Sequence, residues 1–196
     1  MNQPWSIDTI QRAWELASRL HRGQTYGGPA AGEQIEYLDH IGSVAFEVLQ
    51  ALAQGPGLNA ELALTCAILH DVLEDTPCTY ANVAAAFGEP VARGVLALTK
   101  DAGIADRREQ MRDSLRRIRQ QPREVWAVKL ADRIANLAHP PYYWDDAKKR
   151  AYQQESELIL SELQAGNAYL AQRLRAKIEG YSRFLASAPA PPAAES

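Results

Sequence analysis

One segment of the sequence concentrates chemistry: Leu69-His70-Asp71-Val72-Leu73-Glu74-Asp75-Thr76. It ends an otherwise apolar stretch, where unpaired polar side chains would be costly to bury. Read as continuous helix, it places Glu74 one turn after His70 and Asp75 one turn after Asp71. Three carboxylates and an imidazole within two turns repel one another unless a cation or a shared proton offsets them. Two distant positions can complete such a set. His40 lies in Tyr37-Leu38-Asp39-His40, and Asp132 interrupts the apolar run Val128-Lys129-Leu130-Ala131-Asp132-Arg133. An aspartate in the middle of a helix competes with the backbone for hydrogen bonds and is disfavoured there. His40, His70, Asp71 and Asp132 together offer imidazole and carboxylate donors suited to a borderline divalent cation. Manganese is the expected ion, because half the donors are oxygen and no thiolate joins them; iron and zinc are the alternatives. A lone histidine on a helix is more often a core or surface residue, and a structural salt-bridge network is the competing reading of the whole set.

The elements that must position these residues read as helices. Ile10, Ala13, Trp14, Ala17 and Leu20 keep helical spacing after an N-cap at Ser6. A second helix carries Ile41, Val44, Ala45, Val48 and Leu52, and a third runs from an Asn59 cap through Leu73. Further helices are expected over 80–87 with Gly88 as terminator, from Pro90 through Leu98, over 106–120, 125–137, 145–164 and 169–185. No segment alternates polar and apolar residues over a convincing length. The fold class is therefore all-α: one compact helical domain over 1–186, then a disordered Ala/Pro tail over 187–196.

Composition narrows the partners. The 196 residues carry 21 Lys+Arg against 24 Asp+Glu, a net charge of −3, which disfavours sequence-independent nucleic-acid binding. No apolar run approaches the ~18 residues that a membrane span needs, and the start shows no export signal. A cytoplasmic protein with no membrane partner is expected. Charge and spacing leave its oligomeric state open. Arg108, Arg112, Arg116 and Arg119 read as a solvated face interleaved with Glu109 and Asp113. Pro141-Tyr142-Tyr143-Trp144 reads as an aromatic wedge between helices, or else as a stacking surface for a base.

The chain resembles the HD-type metal-dependent phosphohydrolases, and within them the hydrolase domain of the RelA/SpoT alarmone enzymes, especially the small Mesh-type alarmone hydrolases. The resemblance rests on His21-Arg22-Gly23-Gln24, His40 in YLDHI, HDVLEDT over 70–76, Phe87-Gly88, Leu98-Thr99-Lys100, KLADRIAN over 129–136 and Leu163 to Leu170, and covers about residues 8–185. It implies an HD-type helical fold, with His40, His70, Asp71 and Asp132 as ligands of a manganese ion. It implies that Glu74 and Asp75 orient and activate the attacking water, and that a small-molecule nucleotide substrate meets Asn136 and a basic residue at Lys149 or Arg150. The implied reaction is hydrolysis of the 3′-pyrophosphate of (p)ppGpp to GDP or GTP and pyrophosphate. His21 is expected to pack or to support the site without binding metal. Where the family carries an Arg-Lys pair, this chain has Thr25-Tyr26, placed at the substrate with Tyr26 able to stack on a base. Ala135 and His139 also depart from the family pattern. These departures keep open another nucleotide or phosphoester, such as NADPH, as substrate. A catalytically silent nucleotide-binding regulator is the third reading.

Overall fold

The computed structural model describes residues 5–55 and 57–185; the tail expected over 187–196 lies outside them. The chain is helical almost throughout. In order it forms α1 (Ile7–Leu20), β1 (Thr25–Gly27), β2 (Gln34–Glu36), α2 (Tyr37–Ala53), α3 (Ala60–Leu69), α4 (Val72–Asp75), α5 (Tyr80–Phe87), α6 (Glu89–Leu98), α7 (Arg107–Ile118), α8 (Arg123–Asn136), α9 (Asp146–Leu163), α10 (Ala168–Tyr181) and a 3₁₀ turn (Ser182–Phe184). The helix starts are written in the sequence. The side chains of Ser6, Asn59, Asp106, Asp145 and Asn167 each accept a backbone N–H in the first turn of the helix that follows. Thr79 and Asn82 form a reciprocal capping box on α5.

Two local features depart from the sequence reading. The third helix does not run through Leu73. It stops at Leu69, Asp71 leaves helical geometry with φ −106° and ψ 0°, and α4 restarts at Val72. Asp71 occupies the N-cap of α4, yet its carboxylate makes no capping bond and is spent elsewhere. The stretch after Gln24 holds two strands where the sequence signals none. β1 and β2 pair antiparallel, Thr25 opposite Glu36 and Gly27 opposite Gln34. Each strand has only three residues, too few for alternation to register in the sequence.

The core is organised by α8, which packs against α2, α3, α6, α9 and α10. Its residues Val125, Ala127, Val128, Leu130, Ala131 and Ile134 are all fully buried. A helix surrounded on most sides is where a single aspartate must find partners. Close packing also constrains α6 at Gly94. A Cβ there would meet Cys66 Sγ and Val125 Cγ2, both at 2.9 Å. Gly94→Ala should therefore cost about 1–3 kcal/mol by overpacking. Urea unfolding should show a lower midpoint at an unchanged slope; an unchanged midpoint would mean that the α3–α6 contact yields freely.

Candidate metal centre and its cleft

α2, the α3–α4 break and α8 bring four side chains together. His40 Nε2 and His70 Nε2 face each other at 3.1 Å. Asp71 Oδ2 lies 2.9 Å from His70 Nε2 and 3.7 Å from His40 Nε2. Asp132 Oδ1 lies 3.5 Å from His40 Nε2 and 3.9 Å from His70 Nε2. The donor atoms of His40, His70 and Asp132 all fall within 4.8 Å of one another. Two imidazole nitrogens this close need a proton or a cation between them. Metal–nitrogen bonds of about 2.0–2.1 Å put neighbouring donors on one ion about 3 Å apart, so the spacing fits a shared cation. Ring orientation is fixed from behind, since His70 Nδ1 meets Ala67 O at 2.8 Å and Nε2 is left for the site.

Burial and neighbouring charge pull the two imidazoles in opposite directions. Burial pulls His70 toward the neutral form, but the charge and hydrogen bond of Asp71, with Asp132 behind, win and push it up to about 9. His40 goes the other way: burial and the neighbouring His70 hold it below the usual histidine range. Burial would raise Asp71 as well, yet His70 and His40 keep it well below the usual carboxylate range. Asp132 is held down against its own burial by Lys129, His70 and His40. Lys129 is itself buried, with Nζ 2.8 Å from Asp132 Oδ2, and Asn136 Nδ2 donates to Asp132 Oδ1 at 2.5 Å. An ionised carboxylate inside α8 is thereby satisfied on both oxygens.

The acidic pair sits beside this centre in two different settings. Lys100 occupies both oxygens of Glu74, its backbone N–H at 3.0 Å from Oε2 and its Nζ at 2.8 Å from Oε1. Asp75 Oδ2 is met by the Tyr37 hydroxyl at 3.0 Å, and the same hydroxyl lies 2.5 Å from Asp71 Oδ2. Burial and then the charge of Asp71 raise the Asp75 carboxyl above its ordinary range. Tyr37 carries no role in the sequence reading. Its only sequence signal is its place three residues before His40, one turn away on the same helix face.

All of these side chains open into one cleft of about 930 Å³. Tyr26, Asn136, Ala135 and His139 line it, while Thr25 and Lys149 do not. Thr25 sits on the hairpin with its hydroxyl on Gln34, and Lys149 pairs with Asp146 at 3.3 Å. The lysine that reaches the cleft from α9 is Lys148, whose Nζ lies 5.3 Å from the centre of the Trp144 ring. A register of one residue on a helix turns a side chain by about 100°, enough to exchange the two lysines. Tyr26 spends its hydroxyl on Asp39 at 3.1 Å. The arginine stripe of α7 is more than a solvated face: Arg108 and Arg112 line the cleft, together with the neighbouring Arg107. The aromatic segment divides its work. Trp144 packs edge-on against Tyr152 while also lining the cleft, and Tyr143, 64% exposed, lines the cleft without that packing. The cleft thus has an acidic, imidazole-bearing floor and a largely cationic, aromatic rim.

Comparison with known proteins gives a consistent picture. A family model described as HD domain matches residues 13–168. A human protein named guanosine-3′,5′-bis(diphosphate) 3′-pyrophosphohydrolase MESH1 is 29% identical over 170 residues, which is 85% of this chain and 90% of that protein. A protein of Aquifex aeolicus named guanosine-3′,5′-bis(diphosphate) 3′-pyrophosphohydrolase is 30% identical over 158 residues, 79% of this chain. The match spans only 21% of the Aquifex protein's own length. A solved structure, described as a metazoan ortholog of SpoT that hydrolyzes ppGpp, shares the fold with a TM-score of 0.76 at 24% identity. That likeness covers 91% of this chain and 98% of the other.

Proposed function

Since the chain belongs to the HD domain family, we propose that it is a manganese-dependent phosphohydrolase that removes the 3′-pyrophosphate of (p)ppGpp, giving GDP or GTP and pyrophosphate. The relatives that bear the name of this activity support the substrate. The observation that carries the chemistry is the convergence of His40, His70, Asp71 and Asp132 beside Glu74 and Asp75. The reading takes residues 1–186 as the hydrolase domain and the cytoplasm as its location. No helix among the described residues is long and apolar enough to cross a membrane.

In this reading His40, His70, Asp71 and Asp132 hold one manganese ion, the choice that suits two nitrogen and two oxygen donors. When bound, the ion supplies a water of lowered pKa and offsets charge on the pyrophosphate. The protein's own residues do the rest. Glu74 and Asp75 orient the attacking water and accept its proton. The water oxygen bonds to the phosphorus nearest the ribose, the bond from that phosphorus to the 3′ oxygen breaks, and the proton ends on the 3′ oxygen. Lys129 and Asn136 keep Asp132 charged and aimed at the ion. Lys100 fixes Glu74 and brings a positive charge to the cleft wall.

Incubating the purified protein with manganese and ppGpp and identifying the products tests the proposal. GDP and pyrophosphate are expected; an unchanged nucleotide, or release of orthophosphate alone, would overturn it. A second reading, the same chemistry on another nucleotide such as NADPH, is favoured by one observation. Tyr26 brings a ring to the wall and ties its hydroxyl to Asp39, supplying no positive charge. A panel of ppGpp, NADPH and simple nucleotides separates the two.

The rim supplies the charge instead. Arg107 and Arg108 are exposed at the start of α7 and line the cleft. Exposed charges contribute about 0.2–1 kcal/mol each. Replacing both with alanine should raise KM for ppGpp by about 2- to 30-fold with kcat nearly unchanged, and added salt should shrink the difference. Steady-state kinetics at two ionic strengths checks this, and a salt-independent loss of kcat would contradict it.

A further inference from the structure

The sequence reading gives Tyr37 no task, yet its hydroxyl stands where two elements of the site meet. It lies 2.5 Å from Asp71 Oδ2 and 3.0 Å from Asp75 Oδ2. The phenol is held by its surroundings. The His21 ring stacks on it with centroids 5.0 Å apart and planes 23° apart. His21 Nδ1 meets Gln24 Oε1 at 2.7 Å, and Gln24 Nε2 donates to the backbone oxygen of Asp75 at 2.8 Å. The backbone N–H of Tyr37 donates to Gln24 O at 2.9 Å. These contacts close a circuit: His21 and Gln24 at one foot of the β1–β2 hairpin, Tyr37 at the other, and Asp75 across from both. The Tyr26 ring, on the hairpin itself, stands edge-on to Tyr37 with centroids 6.3 Å apart.

We infer that Tyr37 is a positioning residue: its hydroxyl fixes the carboxylates of Asp71 and Asp75 relative to each other and ties both to the foot of the hairpin that walls the cleft. The inference rests on the proposed function, because it takes Asp71 as a metal ligand and Asp75 as a water-orienting group. Asp71 sits at a helix break with no capping bond to hold its side chain. Apart from His70 and His40, the Tyr37 hydroxyl is what fixes that carboxylate. A ligand that must be aimed by a neighbour loses affinity when the neighbour goes; partners behind the ligands typically account for about 10–100-fold in metal affinity or activity.

Tyr37→Phe tests this, since it removes the hydroxyl and keeps the ring that stacks on His21. Manganese binding is measured by calorimetry on the metal-free protein, kcat and KM for ppGpp at saturating manganese, and Tm without metal. The expected result is a manganese Kd weakened by about 10–100-fold, with a lower kcat and a KM within about twofold. Tyr26→Phe, whose hydroxyl touches Asp39 and neither Asp71 nor Asp75, should leave the manganese Kd unchanged. A Tyr37→Phe protein with wild-type Kd and kcat overturns the inference. So does one whose only change is a lower metal-free Tm, which is what packing alone would give. If the wild type binds manganese and hydrolyses ppGpp while the variant matches it, the inference alone falls. If the wild type takes up no manganese, the proposed function falls and takes this inference with it.

Discussion

His70→Ala should abolish manganese uptake and lower kcat/KM for ppGpp by more than about a thousandfold, because a water not bound to a cation keeps a pKa near 15.7 instead of about 7. The variant should still fold. Asp132 retains Lys129 at 2.8 Å and Asn136 at 2.5 Å, and Asp71 retains the Tyr37 hydroxyl. Calorimetry with manganese and a thermal melt of the metal-free variant check both halves. Normal turnover in this variant would refute the metal-centre assignment. The wild-type protein carries a companion expectation in pH. His70 is pushed up to about 9 in the metal-free site by Asp71 and Asp132, which outweigh its burial. At neutral pH its Nε2 therefore bears a proton that the cation must displace. Manganese uptake should release about one proton, and affinity should rise about tenfold per pH unit until pH approaches that value. Calorimetry in buffers of different ionisation enthalpy reads the proton directly. Affinity that is flat between pH 6 and 8 would place the proton elsewhere.

Glu74→Gln and Asp75→Asn should separate catalysis from metal binding. Neither residue is among the four proposed ligands, so the manganese Kd should stay near the wild-type value. Turnover should fall by about 10²–10⁴-fold, the range of a positioned proton acceptor. The routes differ. Glu74→Gln replaces a carboxylate held on both oxygens by Lys100, so the loss is of charge and of alignment. Asp75→Asn removes the carboxyl whose pKa is raised by desolvation and by Asp71, the better-poised proton acceptor of the pair. Single-turnover kinetics at saturating manganese and ppGpp isolates the chemical effect. If both variants keep wild-type rates while manganese binding is intact, the acidic pair has no part in the reaction.

Much of this could be read without coordinates because it is local. The caps at Ser6 and Asn59 act on their own next turn, so residue type and position suffice. The HDVLEDT string and Asp132 could be singled out because charge in an apolar helix is an anomaly that the chain carries openly. Residues whose task depends on a distant neighbour stayed hidden. Lys148 and Lys149 differ only in the rotation of α9 against the cleft. Arg107 and Arg108 look like ordinary surface charge until α7 is laid along the rim. Thr25 next to Tyr26 points away from the cleft because successive strand residues face opposite sides.

The helical class, the family pattern and the groups able to hold a cation are thus legible in the order of the residues. Those follow from residue type, period and capping, which act over a few residues. The 3.1 Å approach of His40 to His70, the helix break at Asp71 and the placement of Tyr37 between two acids come from packing across the fold. The reason is physical. Such contacts join residues 30 to 38 positions apart or more, and they form only when the core around α8 sets the helices at fixed angles and distances.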